Sequence, residues 1–248
     1  MVKISAVMIV KNESENLKRC LPALTWTDEI VVLDTGSEDD TIEVAQSYGA
    51  KTSKLEFWEG FGKAKQKAVE LAENDWIISL DADELLSEDL QEELKALKEQ
   101  DFLNCAWRLK RKSFYEGKLI HFCGWQNDRP LRVFNRLKGN FNNYPVHEGV
   151  KTEMEKRCCK GILYHYPYKD KETHFQKMRF YGEIGAKELA KKGKKSNPVT
   201  ALLRAAAKFL RMFILQLGFL DGRAGFLLCT RSAWGVWYKY HYLWKISQ

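Results

Sequence analysis

The sequence predicts an α/β fold built on a parallel sheet with a ligand site at one edge. The alternation of strand-like and helix-like segments predicts the fold, and the polar clusters at the ends of the strands predict the site. In the first hundred residues, short apolar runs of strand length alternate with segments that have helical periodicity. Such alternation is typical of β–α–β units, whose right-handed crossovers place the carboxyl ends of the strands at one edge of the sheet. Polar clusters follow three of these runs, so we expect a ligand to bind at that edge.

The elements of this half follow from their local patterns. We predict strands at 4–10, 29–33, 51–55 and 76–80, with helices at 61–73 and 87–99. Asn12 and Glu15 have the spacing of a capping box and predict a helix that runs to Leu24. A further helix is expected to end near Tyr48, where Gly49 is suited to a helix terminus.

The pattern changes after residue 100. Alternating apolar residues and the turn pair Glu116-Gly117 predict a hairpin, and further strands are expected at 130–137 and 161–167. Helices are predicted at about 170–192, 198–217 and 222–244. We therefore expect a domain over residues 1–168 and a helical extension over residues 169–248.

Composition narrows the class of protein. The apolar fraction of 45% and charged fraction of 29% are those of a folded chain. Residues 1–100 carry 11 Lys or Arg against 22 Asp or Glu, whereas the remainder carries 29 against 11, so the two parts are expected to have different partners. We expect neither a signal peptide nor a membrane-spanning helix. The six cysteines form no Cys-x-x-Cys pair, which predicts reduced thiols and no structural zinc.

The acidic run Asp81-Ala82-Asp83-Glu84 directly follows the predicted strand 76–80. Carboxylates at the end of a buried strand repel one another unless a cation offsets their charge. Oxygen ligands in an Asp-x-Asp spacing suit Mg²⁺ or Mn²⁺. The alternative is that Asp83 or Ser87 only caps the following helix. Because the clusters at 12–13 and 34–37 are predicted at the same edge, a binding site is the favoured interpretation.

Five motifs occur in an order that resembles the family-2 inverting glycosyltransferases with a GT-A fold, in particular the lipopolysaccharide-core glucosyltransferase branch. They are Val10-Lys11-Asn12-Glu13, Asp34-Thr35-Gly36-Ser37-x-Asp39-x-Thr41, Asp81-Ala82-Asp83-Glu84, Val146-His147-Glu148 and Gly218-Phe219-Leu220-Asp221-Gly222. The resemblance implies a Rossmann-like, mostly parallel central sheet. It also implies that residues 1–100 form the nucleotide-binding half and residues 101–168 the acceptor half.

The resemblance further implies a UDP-sugar donor and a divalent cation, Mn²⁺ or Mg²⁺. Asp83 is expected to hold the cation, together with His165; the alternative for His165 is a packed core histidine. The donor is expected to contact a larger set, namely Val10, Asn12, Glu13, Asp34, Lys67, Asp81 and Arg132. Lys63 and Lys177 are further candidates for phosphate contacts, and a solvated surface role is the alternative for each lysine and for Arg132.

An inverting transfer needs a base that takes the proton from the acceptor hydroxyl. By resemblance, that base is Glu148, although this chain has His147-Glu148 where the family usually has a Glu-Asp pair. Asp128 is the reserve candidate. Glu84 is expected to cap a helix or to support the neighbouring acids.

The C-terminal segment has a basic amphipathic pattern. Arg204, Lys208 and Arg211 fall on one helical face, opposite Leu203, Leu210, Phe213, Ile214 and Leu217. Together with the aromatic cluster at 234–244, this predicts a segment that lies on an anionic membrane surface. The alternatives are packing on the catalytic domain or on another copy in a homo-oligomer. We expect a cytoplasmic protein bound peripherally to the inner face of the cytoplasmic membrane.

The predicted activity is transfer of a hexose, with glucose as the working choice, to a hydroxyl of a saccharide or lipid-linked acceptor such as the lipopolysaccharide core. One alternative is a sugar-phosphate nucleotidyltransferase, but Lys11-Asn12-Glu13-Ser14 lacks the glycine-rich loop that those enzymes share. Another is a non-catalytic module that binds membranes or nucleic acid. No nucleic-acid partner is expected, and the sequence identifies neither the sugar nor the acceptor.

Overall fold

A computed structural model describes residues 2–144 and 148–248, which divide into two compact units. The first unit contains the described residues up to Arg111 together with Asp128–His165. The second contains Lys112–Asn127 and Tyr166–Gln248. The boundary between the units after His165 lies close to the predicted domain boundary at residue 168. Residues 112–127, which the prediction placed in the catalytic domain, belong instead to the unit that contains the helices.

The first four strands form the parallel half of the sheet, in the order β3-β2-β1-β4. Their bounds are β1 Ile4–Val10, β2 Glu29–Asp34, β3 Lys51–Lys54 and β4 Trp76–Ser79, with helices α1 Ser14–Cys20, α2 Thr41–Ser47 and α3 Phe61–Leu71. The central strands are almost completely buried, as expected for strands covered on both faces. The predicted α/β class is confirmed.

The remaining strands of the first unit extend the sheet with antiparallel pairs. They are β5 Glu84–Leu86, β6 Ala106–Tyr115, β8 Leu131–Asn135 and β11 Lys156–His165, and α4 Glu88–Glu99 follows β5. The order continues as β4-β8-β6-β11-β5. Because β8 runs antiparallel to β4, the start of β8 lies at the edge where β4 ends. A separate pair, β9 Gly139–Phe141 and β10 Val150–Thr152, completes this unit in the described chain.

The predicted capping box at Asn12 is wrong. Helix α1 begins at Ser14, and the side chain of its N-cap residue, Glu13, makes no capping hydrogen bond. A 3₁₀ turn over Leu21–Leu24 replaces the last predicted turns. Asn12 has a φ of 54°, and its side-chain oxygen accepts the N–H of Glu38 at 2.8 Å. Its polar side chain therefore joins two loops and does not cap the helix.

Helix α4 is fixed against β11 by polar contacts and by a close approach. Ser87 caps α4 by accepting the N–H of Leu90 at 3.2 Å, so the alternative that Asp83 caps this helix is wrong. The Glu93 carboxylate accepts the N–H of Lys160 and that of Gly161, each at 2.9 Å. A Cβ on Gly161 would lie 2.5 Å from the Leu90 Cα, so only glycine permits this packing. These contacts hold the strand that carries His165.

The second unit is a hairpin with three helices. The hairpin joins the end of β6 to β7, Lys118–Leu119, through Glu116 and Gly117, both at positive φ. The helices are α5 Lys171–Lys191, α6 Pro198–Leu210, continued by a π-helical turn Arg211–Leu215, and α7 Gly222–Ile246. The core of this unit contains Tyr115, Ile120, Cys123, Met212, Ala224, Leu228 and Cys229.

The motif at 218–222 forms the connection between α6 and α7. Gly218 is buried, and Asp221 accepts the N–H groups of His121 and Phe122 at 2.9 Å each. The motif thus ties the hairpin to the helices of its own unit.

Within residues 2–144 and 148–248, no individual helix has the length and hydropathy expected of a membrane span. The helical segments Pro198–Leu215 and Gly218–Ile246, which are bent by 74° relative to each other, have that length and hydropathy only when they are taken together.

Candidate active site

Asp81 lies directly beyond β4, at the edge where the parallel strands end. The N–H of Leu80 still donates to the Val7 carbonyl at 3.1 Å, which fixes the start of this loop on β1. One Asp81 oxygen lies 2.8 Å from Lys65 Nζ, and the other lies 2.7 Å from Arg132 Nη2. The first acid of the Asp-x-Asp motif is therefore held between two cations of its own chain.

Lys65 links this acid to the candidate base. The side chain is buried, and its ammonium lies 2.7 Å from Glu148 Oε1. Lys67, the lysine that the sequence analysis expected to contact the donor, is exposed and pairs with Glu70 at 3.2 Å. Lys63 pairs with Glu59. Two residues along a helix correspond to a rotation of about 200°, so Lys65 faces the sheet when Lys63 and Lys67 face solvent.

Residues 141–144 are held against α3. The Gly62 N–H donates to the Tyr144 carbonyl at 3.2 Å, and Gln66 Nε2 donates to the Phe141 carbonyl at 2.5 Å. A Cβ on Gly62 would lie 2.2 Å from the Asn142 carbonyl oxygen, so the close approach depends on this glycine. Val146 and His147, the first two residues of the predicted motif, lie outside the described residues.

Glu84 extends the set of ion pairs into the interior. The side chain is 1% exposed, and its Oε1 pairs with Arg132 Nη2 and with Arg111 Nη1, the latter at 2.8 Å. Arg111 in turn pairs with Asp128 at 2.6 Å. The expectation that Glu84 caps a helix is wrong; the expectation that it supports the neighbouring acids agrees with these contacts.

Seven side chains thus form an alternating series of ion pairs, which we call the ion-pair ladder. In spatial order its members are Glu148, Lys65, Asp81, Arg132, Glu84, Arg111 and Asp128. Four acids and three bases leave one formal negative charge. The two candidate bases of the sequence analysis, Glu148 and Asp128, lie at opposite ends of this ladder.

The ion pairs of the ladder favour the charged forms of Asp81, Glu84 and Lys65. Burial alone would raise the pKa of Asp81, but Arg132 and Lys65 outweigh it and hold that pKa well below its usual range. The pKa of Glu84 is lowered in the same way, since Arg132 and Arg111 oppose the effect of burial. The pKa of Lys65 is raised, because the attraction of Asp81 and Glu148 exceeds the cost of burial.

Asp83 and His165 form a second pair beside the ladder. Antiparallel pairing of β5 with β11 places His165 opposite Glu84, and His165 Nε2 lies 3.7 Å from Asp83 Oδ1. Burial and the nearby Arg111 lower the pKa of His165 to about 4, so the imidazole is neutral at pH 7 and one ring nitrogen can donate a lone pair. The structure therefore brings together the two residues predicted to bind metal.

This donor set fits a divalent cation held partly by substrate. A carboxylate and a neutral imidazole are ligands that Mn²⁺ accepts. In the part of the chain that the structure describes, no group of three or more His, Cys, Asp or Glu side chains has a geometry able to hold a metal ion. A cation at Asp83 and His165 would need further oxygens from water or phosphate, as is usual for Mg²⁺ at nucleotide sites.

The residues expected to contact a nucleotide lie at the same edge. Val10 and Asp34 are register partners at the ends of β1 and β2. The Asp34 carboxylate is buried and accepts the N–H of Gly36 and both the N–H and the hydroxyl of Ser37. Asp34 therefore shapes the loop that follows β2.

That loop is joined to the loop after β1 by side-chain hydrogen bonds. The Ser37 hydroxyl accepts the Asn12 N–H at 2.9 Å, and Thr41 Oγ1 accepts the Glu13 N–H at 2.8 Å. Asp39 accepts the Ser14 hydroxyl at 2.8 Å. The spacing of polar residues in the motif 34–41 is thus explained by the closure of two adjacent loops.

Lys177, a candidate for a phosphate contact, belongs to the second unit. Its Nζ donates to the Pro167 carbonyl at 2.9 Å and lies 5.9 Å from the centre of the Tyr168 ring. The described contacts of this lysine are therefore with its own unit.

Residues 5–158 match the family described as Glycosyl transferase family 2. The chain belongs to this family. An uncharacterised glycosyltransferase of Rickettsia typhi is 31% identical over 240 residues, which covers 92% of this chain and 82% of the relative. The lipopolysaccharide core biosynthesis glycosyltransferase LpsC of Rhizobium meliloti is 28% identical over 236 residues, covering 93% and 87%.

Among solved structures, residues 1–349 of S. aureus TarS in complex with UDP-GlcNAc have a similar fold. The TM-score is 0.50 at 15% identity, and the match covers 95% of this chain and 80% of that chain. The family match and this similarity confirm the GT-A-type α/β fold of this glycosyltransferase.

Proposed function

We propose that this family-2 glycosyltransferase moves a hexose from a UDP-sugar to a hydroxyl of a saccharide or lipid-linked acceptor, with inversion and with a divalent cation. One observation carries the proposal: the loop that joins β4 to β5 carries Asp83 beside His165 and Asp81, which Lys65 links to Glu148, next to the strand ends that carry Val10 and Asp34. The name of LpsC supports an acceptor in the lipopolysaccharide core, and TarS with UDP-GlcNAc supports a UDP-sugar donor.

The donor site follows from the strand ends. We assign the nucleoside to the edge formed by Val10, Asn12, Glu13 and Asp34. Asp83 and His165 would hold the cation, which, when bound, offsets the negative charge that develops on the leaving diphosphate. Asp81, held from both sides by Lys65 and Arg132, would present a fixed carboxylate toward the ribose or sugar.

We assign the role of general base to Glu148. Its carboxylate would take the proton from the acceptor hydroxyl while that oxygen bonds to the anomeric carbon and the bond to the diphosphate breaks. The Lys65 ammonium fixes the orientation of this carboxylate at 2.7 Å. Asp128 is bound to Arg111 at the other end of the ladder and remains the reserve base.

The proposal is tested by incubating the purified protein with a panel of UDP-sugars, Mn²⁺ or Mg²⁺, and saccharide acceptors, and measuring UDP release. We expect release from one UDP-hexose, with UDP-glucose as the first choice. Proton NMR of the transferred sugar should show an anomeric configuration opposite to that of the donor. Retention of configuration would overturn the inverting mechanism, and no UDP release from any donor would overturn the proposed donor class.

A parallel reaction distinguishes the nucleotidyltransferase alternative. A sugar 1-phosphate and UTP are supplied, and pyrophosphate release is measured. We expect none, because the loop after β1, Lys11-Asn12-Glu13-Ser14, contains no glycine at which backbone amides could closely approach a triphosphate. Pyrophosphate release at a rate above that of UDP release would favour the alternative.

A further inference from the structure

Helix α6 leaves several large apolar side chains exposed on one side. Ala201 and Ala205 face the interior of the second unit, as does Met212 of the π-helical turn. Leu203 is 64% exposed and Leu210 is 51% exposed on the opposite side. A helix at the surface of a soluble domain normally turns its large apolar residues inward. The outer face of α6 departs from this rule and is suited to an apolar surrounding.

The exposed apolar surface continues through the bend between α6 and α7. Ile214 and Leu215 end the π-helical turn with exposures of 52% and 78%, and Phe219 and Leu220 follow with 47% and 56%. Leu217, at a φ of 55°, lies between these pairs at the bend. We call the whole set the apolar ridge: Leu203, Leu210, Ile214, Leu215, Phe219 and Leu220. Such a concentration of exposed large apolar side chains in one segment of the chain is typical of an interaction site.

The charge around the ridge is almost entirely positive. Residues 189–248 contain eleven Lys or Arg and one acid, Asp221. The carboxylate of that acid is directed to the backbone amides of His121 and Phe122. Arg211 and Arg223 are exposed on either side of the bend. An apolar ridge flanked by cations is complementary to a surface with an apolar interior and anionic head groups.

The two other cations of α6, Arg204 and Lys208, are engaged within the second unit. The Arg204 guanidinium lies 4.6 Å from the centre of the Tyr240 ring on α7. Lys208 is half-buried, and its pKa is lowered by burial and by Arg211. These two cations contribute to the packing of α6 on α7. Arg204 and Lys208 therefore lie toward α7, which leaves the ridge and the flanking arginines for an external partner.

We propose that the apolar ridge inserts into the interface of a phospholipid bilayer that contains anionic lipids, with Arg211 and Arg223 at the level of the head groups. The ridge runs along α6 to the bend of 74° between the two helices. Insertion of side chains at such a turn requires no helix to cross the bilayer. The choice of lipid over a second copy rests on charge, since two such ridges would bring two sets of cations together.

Vesicle flotation of the full chain tests this inference. The wild type, Leu215→Ser/Leu220→Ser and Leu137→Ser are mixed with vesicles of phosphatidylcholine alone or with phosphatidylglycerol. Leu137 is a matched control because it is 74% exposed but lies in the first unit. We expect wild type and Leu137→Ser to float with the anionic vesicles, and the double variant to bind at least about tenfold more weakly. Absence of wild-type flotation, or equal flotation of all three proteins, would overturn the proposal.

Two further measurements test separately the contribution of the flanking arginines to vesicle binding and the role of the apolar ridge. Arg211→Gln/Arg223→Gln should weaken binding to anionic vesicles but not to phosphatidylcholine, and raised salt should reproduce the effect. Light scattering after size exclusion without lipid should give the same mass for wild type and Leu215→Ser/Leu220→Ser. A wild-type dimer that the double variant dissociates would assign the ridge to a second copy and overturn the lipid proposal. Neither measurement depends on the sugar-transfer reaction.

Discussion

The Lys65 ammonium lies between two carboxylates of the site, 2.8 Å from Asp81 and 2.7 Å from Glu148. One of these acids belongs to the Asp-x-Asp motif after β4, and the other is the proposed base, which comes much later in the chain. A single buried cation thus links the acid that we assign to the donor and the acid that we propose as the base.

We predict that Lys65→Met lowers both activity and stability. Removing the cation leaves Asp81 with Arg132 alone and takes from Glu148 the ammonium that pairs with it, and loss of one partner from a buried ion pair typically costs about 3 to 5 kcal/mol. Because both acids are partly exposed, solvent screening reduces this cost, and we expect a loss of about 2 kcal/mol. Urea unfolding measures the stability, and UDP release measures the activity.

Lys67→Met is the matched control for this variant. It changes the same residue type in the same helix, but Lys67 is 55% exposed and pairs only across the surface with Glu70. We expect its unfolding free energy to stay within about 0.5 kcal/mol of wild type. Equal effects of the two substitutions would refute the central position of Lys65.

Glu148→Gln should retain donor binding and lose transfer. The amide keeps the size of the side chain but cannot accept a proton, and loss of a general base typically lowers turnover by about 10² to 10⁴-fold. Asp128→Asn is the comparison, and we expect it to keep most of its turnover. Calorimetry with UDP and the UDP-release assay together separate binding from transfer. If Glu148→Gln turns over normally and Asp128→Asn does not, the base is Asp128.

Glu84→Gln should destabilise the first unit without removing any residue assigned to the donor. The side chain is 1% exposed, and its charge compensates both Arg132 and Arg111. Neutralising it removes the carboxylate that both guanidinium groups share and leaves Arg132 with Asp81 and Arg111 with Asp128, for which we expect a loss of about 3 kcal/mol. Denaturant unfolding checks this, with Glu88→Gln in the first turn of α4 as an exposed control. A loss below that of the control variant would contradict the ladder as a structural element.

His174 should make the second unit less stable in mild acid. It is buried, its Nδ1 lies 2.9 Å from the Tyr115 hydroxyl, and burial followed by Arg231 lowers its pKa to about 4. In the unfolded chain the imidazole of His174 has a pKa of about 6.5. The contribution of the neutral, buried imidazole to the free energy of unfolding is therefore fully present above pH 6.5 and is lost as the pH falls from 6.5 toward 4. The loss is on the order of 3 kcal/mol.

The variant His174→Gln isolates this contribution, because His165 titrates in the same direction in both proteins. Unfolding free energies at pH 7.5 and pH 5 should differ less in His174→Gln than in wild type. An identical pH dependence in the two proteins would show that His174 does not contribute it.

The parallel half of the fold was predictable because its signals are local. Strand β1 has the predicted bounds, and Gly49, at a φ of 75°, follows α2 near the predicted end. The capping box at Asn12 failed because the same spacing also serves loop closure, and only the neighbouring loop decides between them. The strand β5 was missed because it is too short to carry a periodicity and its partner β11 is distant in the sequence.

The site was predicted in its acids and less well in its cations. Asp83 and His165 do meet, although they lie far apart in the sequence. Lys65 could have been found from its position among Ala64, Ala68 and Val69, a buried stripe in which a lysine needs an acidic partner.

Arg111 had a similar signal, since it shares a strand face with Trp107 and Leu109. An arginine on a largely apolar strand face needs a carboxylate nearby. The identity of that carboxylate depends on the order of the strands in the sheet, which periodicity alone does not specify.

The most direct test of the central claim is a calorimetric titration of UDP into wild type, Asp83→Ala and Asp75→Ala, each with and without Mn²⁺. Asp75 precedes β4 at the opposite edge of the sheet and is 54% exposed, so it serves as the control. We predict that wild type and Asp75→Ala bind UDP in a Mn²⁺-dependent manner, and that Asp83→Ala loses this dependence. Mn²⁺-independent binding in wild type, or unchanged Mn²⁺-dependent binding in Asp83→Ala, would contradict the proposed site.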